Sequence, residues 1–130
     1  MKSTLLLLTF IAAFFASTAA AEEFTIPFGL AKVPDARLAF SDVYDSPSGD
    51  REESIARFTT KDSRQEVIGF YRKALEEAGF QTYSSSDKPD YAMVAAKRDD
   101  DRVTIYFRNE SDWVEADESE ISIKCEYNKE

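Results

Sequence analysis

The apolar residues of this chain repeat with two different periods, and the change between them marks its elements. Over residues 63–78, Val67, Tyr71, Ala74, Leu75 and Ala78 follow the i, i+4, i+7, i+8, i+11 spacing of one helical face, widened by Ile68. Ser63 stands three residues before Glu66, the signature of a capping box, with Asp62 as an alternative cap, and Gly79 is placed to end the helix in a left-handed conformation. Gly69 falls inside the helix, where glycine costs about 1 kcal/mol relative to alanine; a close backbone approach would be one reason to keep it.

Elsewhere the period is two. Ile121, Ile123, Cys125 and Tyr127 alternate with Ser122, Lys124 and Glu126 over 120–127, which predicts a strand. Residues 54–59 put Ala56 and Phe58 on one side and Ile55 and Arg57 on the other. Residues 37–43 read as a first strand with Leu38 and Phe40 on one face, and 45–50 as a turn. After the helix, 80–83, 91–98 and 102–109 read as strands, with 84–90 as a polar connection. Asp99-Asp100-Asp101 reads as a three-residue hairpin loop, which sets Met93 and Ala95 opposite Phe107 and Ile105. A two-residue loop would turn over the faces of one strand. Residues 22–34 are apolar but broken by Pro27, Gly29 and Pro34, so they predict an extended arm with a turn. Residues 110–119 form an acidic loop carrying Trp113. The order strand, strand, helix, then four strands predicts an α+β domain: one mostly antiparallel sheet packed on one face by a single main helix at about 63–78.

The first segment has a different logic. Lys2 is the sole charge before Glu22, residues 5–15 are apolar apart from Thr9, and small residues follow to Ala21. A basic start, a short apolar stretch and an Ala-x-Ala exit at Ala19 and Ala21 describe a secretory signal peptide over 1–21. The stretch is shorter than the roughly 20 residues of a spanning helix, and no Cys near the exit offers a lipid-accepting site. The expectation is an exported, soluble protein, periplasmic or extracellular, with residues 22–130 as one domain and no membrane anchor after cleavage.

Composition narrows the chemistry. The chain has 16 Lys and Arg against 25 Asp and Glu, a net charge of −9, no His and one Cys. A His-based triad, a His metal site and an internal disulfide are therefore excluded. The acidic balance disfavours nucleic acid and anionic membrane surfaces and permits basic partners or cations.

The run Val33-Pro34, Phe58-Thr59-Thr60, Asp62-Ser63, then Val67, Phe70-Tyr71, Leu75 and Gly79-Phe80 resembles small exported or lipoprotein-type α+β domains. Those domains have a Pro-containing entry, a T-x-D-S helix start, an FY pair and a GF exit. A following hairpin is matched loosely by Ala96-Lys97 and Arg102-Val103. The motifs are structural, so the resemblance implies a fold over most of 33–127 and no activity. The chain departs from the pattern at Asp99-Asp100-Asp101, where a Gly-containing turn is common, and in lacking the lipid-accepting Cys.

Few residues carry candidate chemistry. Cys125 shares its strand face with Ile121 and Ile123, so a buried, inert thiol is expected, and no His is present to activate it. The acidic runs at 99–101 and 112–120 lack EF-hand spacing, as does the 45–50 loop. Carboxylate pairs are abundant, but nothing singles out one pair as an acid and base. Asn109-Glu110-Ser111 matches an N-glycosylation acceptor. Trp113, in its polar loop, is a candidate interface anchor. Tyr106 and Arg108, with Thr104, are candidates for a partner surface on the sheet face away from the helix. The expected function is a small exported binding or interaction module without catalysis or cofactor, meeting a protein partner. The alternative is a small-ligand or calcium binder, with a pocket between sheet and helix or a convergence of the two acidic runs.

Overall fold

The computed structural model describes residues 24–109, 114–115 and 117–129. A 3-10 turn at Pro27–Gly29 interrupts an N-terminal arm. It is followed by β1 (Arg37–Asp45), β2 (Arg51–Thr60), helix α1 (Arg64–Glu77), β3 (Gln81–Lys88), β4 (Tyr91–Arg98), β5 (Asp101–Arg108) and β6 (Ser119–Asn128). The strands form one six-stranded sheet in the order β1-β2-β6-β5-β4-β3, antiparallel throughout. The predicted α+β architecture and element order are those observed.

The helix begins and ends as its sequence dictates. Ser63 Oγ accepts from the Glu66 N–H and the Glu66 carboxylate accepts from the Ser63 N–H, each at 3.2 Å. At the other end Gly79 has φ +88°, the Gly79 N–H donates to Glu76 O at 3.0 Å, and the Phe80 N–H donates to Leu75 O at 2.9 Å. That pair is the Schellman arrangement, and its apolar contact partners Leu75 and Phe80 are both buried. Arg98 closes the end further by donating to Ala78 O at 2.7 Å, a cation set against the negative end of the helix.

One face of α1 packs the sheet. Val67, Tyr71 and Leu75 are buried against residues such as Val94, Ile105, Phe107, Ile121 and Ile123. The arm closes one margin of this core with Ile26, Leu30, Val33 and Ala36. The Val33 N–H donates to the Tyr71 hydroxyl at 3.3 Å, tying arm to helix. Gly69 is exposed, and a Cβ added there would meet nothing within 4 Å. No close approach explains it, so Gly69→Ala is expected to stabilise the domain by about 0.5–1 kcal/mol, read as a higher urea midpoint at constant slope.

Three local expectations are corrected. The β4–β5 loop has two residues, Asp99 and Asp100, with Arg98 paired to Asp101 and Asp99 at φ +52°. Met93 therefore faces Tyr106 and Ala95 faces Thr104, while Val94 pairs Ile105 and Ala92 pairs Phe107 on the buried side. The serine run Ser84-Ser85-Ser86 is not a connection but part of β3, which pairs β4 as far as Lys88. As an edge strand it takes its hydrogen bonds from β4 and needs no apolar face of its own. Finally, Leu38 and Phe40 do not share a face. A register shift between them sets Leu38 opposite buried Phe58 and Phe40 opposite Arg57 on the other side.

Candidate functional site

The residues that flank the buried stripe of α1 build one wall of a hollow. Phe70, Ala74 and Ala78 recur at four-residue spacing beside Val67, Tyr71 and Leu75, and they stay half-buried where the arm does not close over them. Across from them run Phe28, Gly29, Leu30 and Ala31. The groove between arm and helix has a volume of about 560 Å³, with Lys73 and Glu77 at its rim. Its lip is held by tilted and edge-on ring contacts and by a cation over two of the rings. The Phe28 ring lies 5.2 Å from that of Phe80 and 5.9 Å from that of Tyr127, and the Arg98 guanidinium sits 5.5 Å from Phe28 and 4.5 Å from Phe80. Phe28 adopts φ +66°, a conformation that costs a bulky residue roughly 1–2 kcal/mol and needs such packing to persist.

Sequence reasoning placed Ala74 and Ala78 in the buried stripe and did not single out Phe28 or Phe70 as site residues. The FY pair at Phe70-Tyr71 was a visible signal: adjacent helical aromatics point about 100° apart, so one must face something other than the sheet. Between the sheet and the middle of α1 core side chains fill the space, and a hollow of about 320 Å³ remains where the start of α1 at Arg64 meets Phe107, Asn109 and Ser119.

The opposite face of the sheet has its own order. Reading across paired strands, Phe40, Arg57, Ser122, Tyr106 and Met93 form one row. Thr59, Glu120, Arg108 and Tyr91 form a neighbouring row. Small Ser122 leaves a hollow of about 270 Å³ between Arg57 and Tyr106, bordered by Ile55, Lys124 and Arg108. The Arg108 guanidinium lies 6.0 Å from the Tyr91 ring and 5.9 Å from the Tyr106 ring. Lys124 stands 3.4 Å from both Glu53 and Glu126, whose charges push its pKa up against the opposing effect of burial.

Of the expected partner residues, Tyr106 and Arg108 thus meet on the helix-free face, with Thr104 beside them, while Trp113 lies outside the described residues. Cys125 is buried at 1% exposure, and burial pushes its thiol up to about 12. It has no ionised form for chemistry at neutral pH. The run 99–101 and the described end of the 112–120 run, Glu115, Asp117 and Glu118, stand at opposite ends of β5, an eight-residue strand roughly 25 Å long, and do not converge. Asp117 and Glu118 pair instead with Lys61 at 3.4 Å and Arg37 at 3.0 Å. Among the described residues no three Asp, Glu or Cys side chains gather as a metal-holding group.

Comparison with known proteins bears on this arrangement at one point. A family model described as START domain-like matches residues 41–118, from β1 through α1 to the end of the β5–β6 connection. No curated protein and no solved structure matches the chain. The match takes in the helical wall of the groove and omits the arm that forms its other wall. It shares a small α+β domain with the exported-domain resemblance drawn from the FY and GF motifs, and no lipoprotein-type family is matched. Because the matched stretch spans more than half of the sequence and includes α1 with the five strands before β6, the chain belongs to the START domain-like family.

Proposed function

We propose that this chain is a small binding module without catalysis of its own, acting after export, that holds a small and mostly apolar ligand between its arm and α1. The observation that carries this reading is the groove of about 560 Å³ walled by Phe28, Leu30, Phe70, Ala74 and Ala78. Small-molecule sites of about 300–1,000 Å³ have this composition, with few polar groups at the rim. Membership of the START domain-like family is compatible with ligand binding and supports the same reading. A binding role fits the groups near the groove better than catalysis: the Tyr71 hydroxyl is pushed up to about 12, chiefly by burial, and accepts a structural hydrogen bond.

The test fills the groove. Ala74→Phe projects a ring between the two walls and leaves the buried stripe intact. Wild-type protein purified from its own source is expected to carry a small-molecule adduct in native mass spectrometry, and to bind the dye anilinonaphthalene sulfonate at one saturable site. Ala74→Phe is expected to lose the adduct and weaken dye binding by about tenfold, a change of roughly 1.4 kcal/mol. A wild-type protein with no adduct, together with unchanged dye affinity in the variant, would sink the reading.

A further inference from the structure

Independently of the groove, we infer that the outer face of β3, β4 and β5 docks an acidic stretch of a protein partner. The chain as a whole carries −9, yet this half-face has the opposite sign. The register places Arg102 and Arg108 of β5, Lys97 of β4 and Lys88 of β3 on the side away from α1, and all four are exposed. No carboxylate of these three strands points that way. Asp87 faces the helix side, where it pairs with Arg64 at 2.7 Å, and Asp101 turns back to Arg98 at 3.2 Å. Among the described residues none of the four cations forms an ion pair. The nearest acidic neighbours in register are on β6: Glu126, opposite Arg102, is 3.4 Å from Lys124, and Glu120, opposite Arg108, is buried.

The rest of the half-face fits a protein surface. Tyr91, Tyr106 and Met93 lie among the cations, and Tyr, Met and Arg are the residue types enriched in interfaces. The Lys97 ammonium sits 5.8 Å from the Tyr83 ring, and Arg108 covers both Tyr91 and Tyr106. Those rings are therefore occupied by cations and are poor platforms for stacked bases, which argues against a nucleic acid. The guanidinium forks remain free to meet carboxylates in pairs. The negative charge elsewhere does not forbid this contact. At physiological salt, charges beyond about 8 Å are screened, so the four local cations set the field that a docked segment meets.

The test uses the full exported chain and a glutamate–tyrosine copolymer as the probe, followed by calorimetry at about 0.15 M salt. Saturable binding is expected, and Arg102→Glu with Arg108→Glu should weaken it by about tenfold or more. The pair Lys61→Glu with Arg72→Glu changes net charge equally on other surfaces and should stay within twofold of wild type. Arg102→Gln with Arg108→Gln should give an intermediate loss, and serves if the charge reversals disturb the fold. Absence of copolymer binding overturns the proposal, as does equal weakening by both charge-reversed pairs. Tighter binding of oligothymidylate than of the copolymer overturns the choice of partner.

Discussion

Tyr71→Ala is expected to lower stability by about 3–5 kcal/mol, enough to unfold a marginal domain. The side chain has 0% exposure and stands midway along the buried stripe of α1. Its removal opens a cavity where helix, sheet and arm meet, and none of these elements can collapse into it without leaving the others. Tyr71→Phe separates the ring from the hydroxyl. It keeps the packing but leaves the buried Val33 N–H without its acceptor, at a cost of about 1–3 kcal/mol. The two losses should differ in place as well as size. Urea unfolding should show the large loss for Tyr71→Ala, and amide exchange should show Tyr71→Phe loosening the arm around Val33 more than the sheet. A neutral Tyr71→Phe with an equally protected Val33 amide would mean that the hydroxyl does not tether the arm.

The domain should also lose stability steeply in alkali. Burial raises the Cys125 thiol from its ordinary value of about 9 to about 12 and the Tyr71 phenol from about 10 to about 12. Both groups ionise more readily in the unfolded chain, so above their unfolded pKa values the unfolded state binds fewer protons than the folded state. Stability from this source is intact below about pH 9 and falls as the pH rises toward 12. At about pH 11 the thiol has passed two pH units of differential titration and the phenol one, at ~1.4 kcal/mol each, a loss on the order of 4 kcal/mol. Urea midpoints should drop accordingly between about pH 8 and 11, and the slope should flatten in Cys125→Ala with Tyr71→Phe. The same slope in that double variant would assign the alkaline loss to other groups. The thiol itself should resist alkylation at neutral pH until the chain unfolds.

Where chain pattern and physical cause are local, the sequence was readable. Ser63 and Glu66 specify a cap that needs no tertiary context, and Gly79 specifies a stop through a conformation that other residues resist. The alternation from Ile121 to Tyr127 is visible because β6 is a central strand buried on one face. Position in the sheet hid the rest. Ser84 to Lys88 look like a loop because an edge strand borrows its order from a neighbour's backbone. Leu38 and Phe40 keep a two-residue spacing, but their partners Phe58 and Arg57 are adjacent, so Ala39 is an extra residue on β1 that rotates the two apart. Asp99-Asp100-Asp101 offered two loop lengths, and only the packing of Val94 and Ile105 against α1 decides between them. The groove was illegible for a related reason. Its two walls lie about forty residues apart in sequence, and the arm carries no periodic signal to aim it. The outer face was partly legible: Tyr106 and Arg108 were placed on it, whereas its charge emerges only when three strands are laid side by side.

The strand order has a consequence for how the molecule is made. β6 lies between β2 and β5, so the hairpin of β1 and β2 and the meander of β3, β4 and β5 have no backbone bond to each other without it. During synthesis both halves emerge before the strand that joins them. Each half alone leaves Ala56 and Phe58, or Val103, Ile105 and Phe107, beside an unfilled slot. The sheet therefore closes late, with β2 and β6 pairing across 59 residues at Thr60 and Ser119 and 77 at Arg51 and Asn128, and long-range pairing of this kind slows folding. A chain whose sheet stays open until its sixth strand arrives leaves the inner edges of β2 and β5 exposed to mispairing for most of its synthesis, and completes its core only at the end.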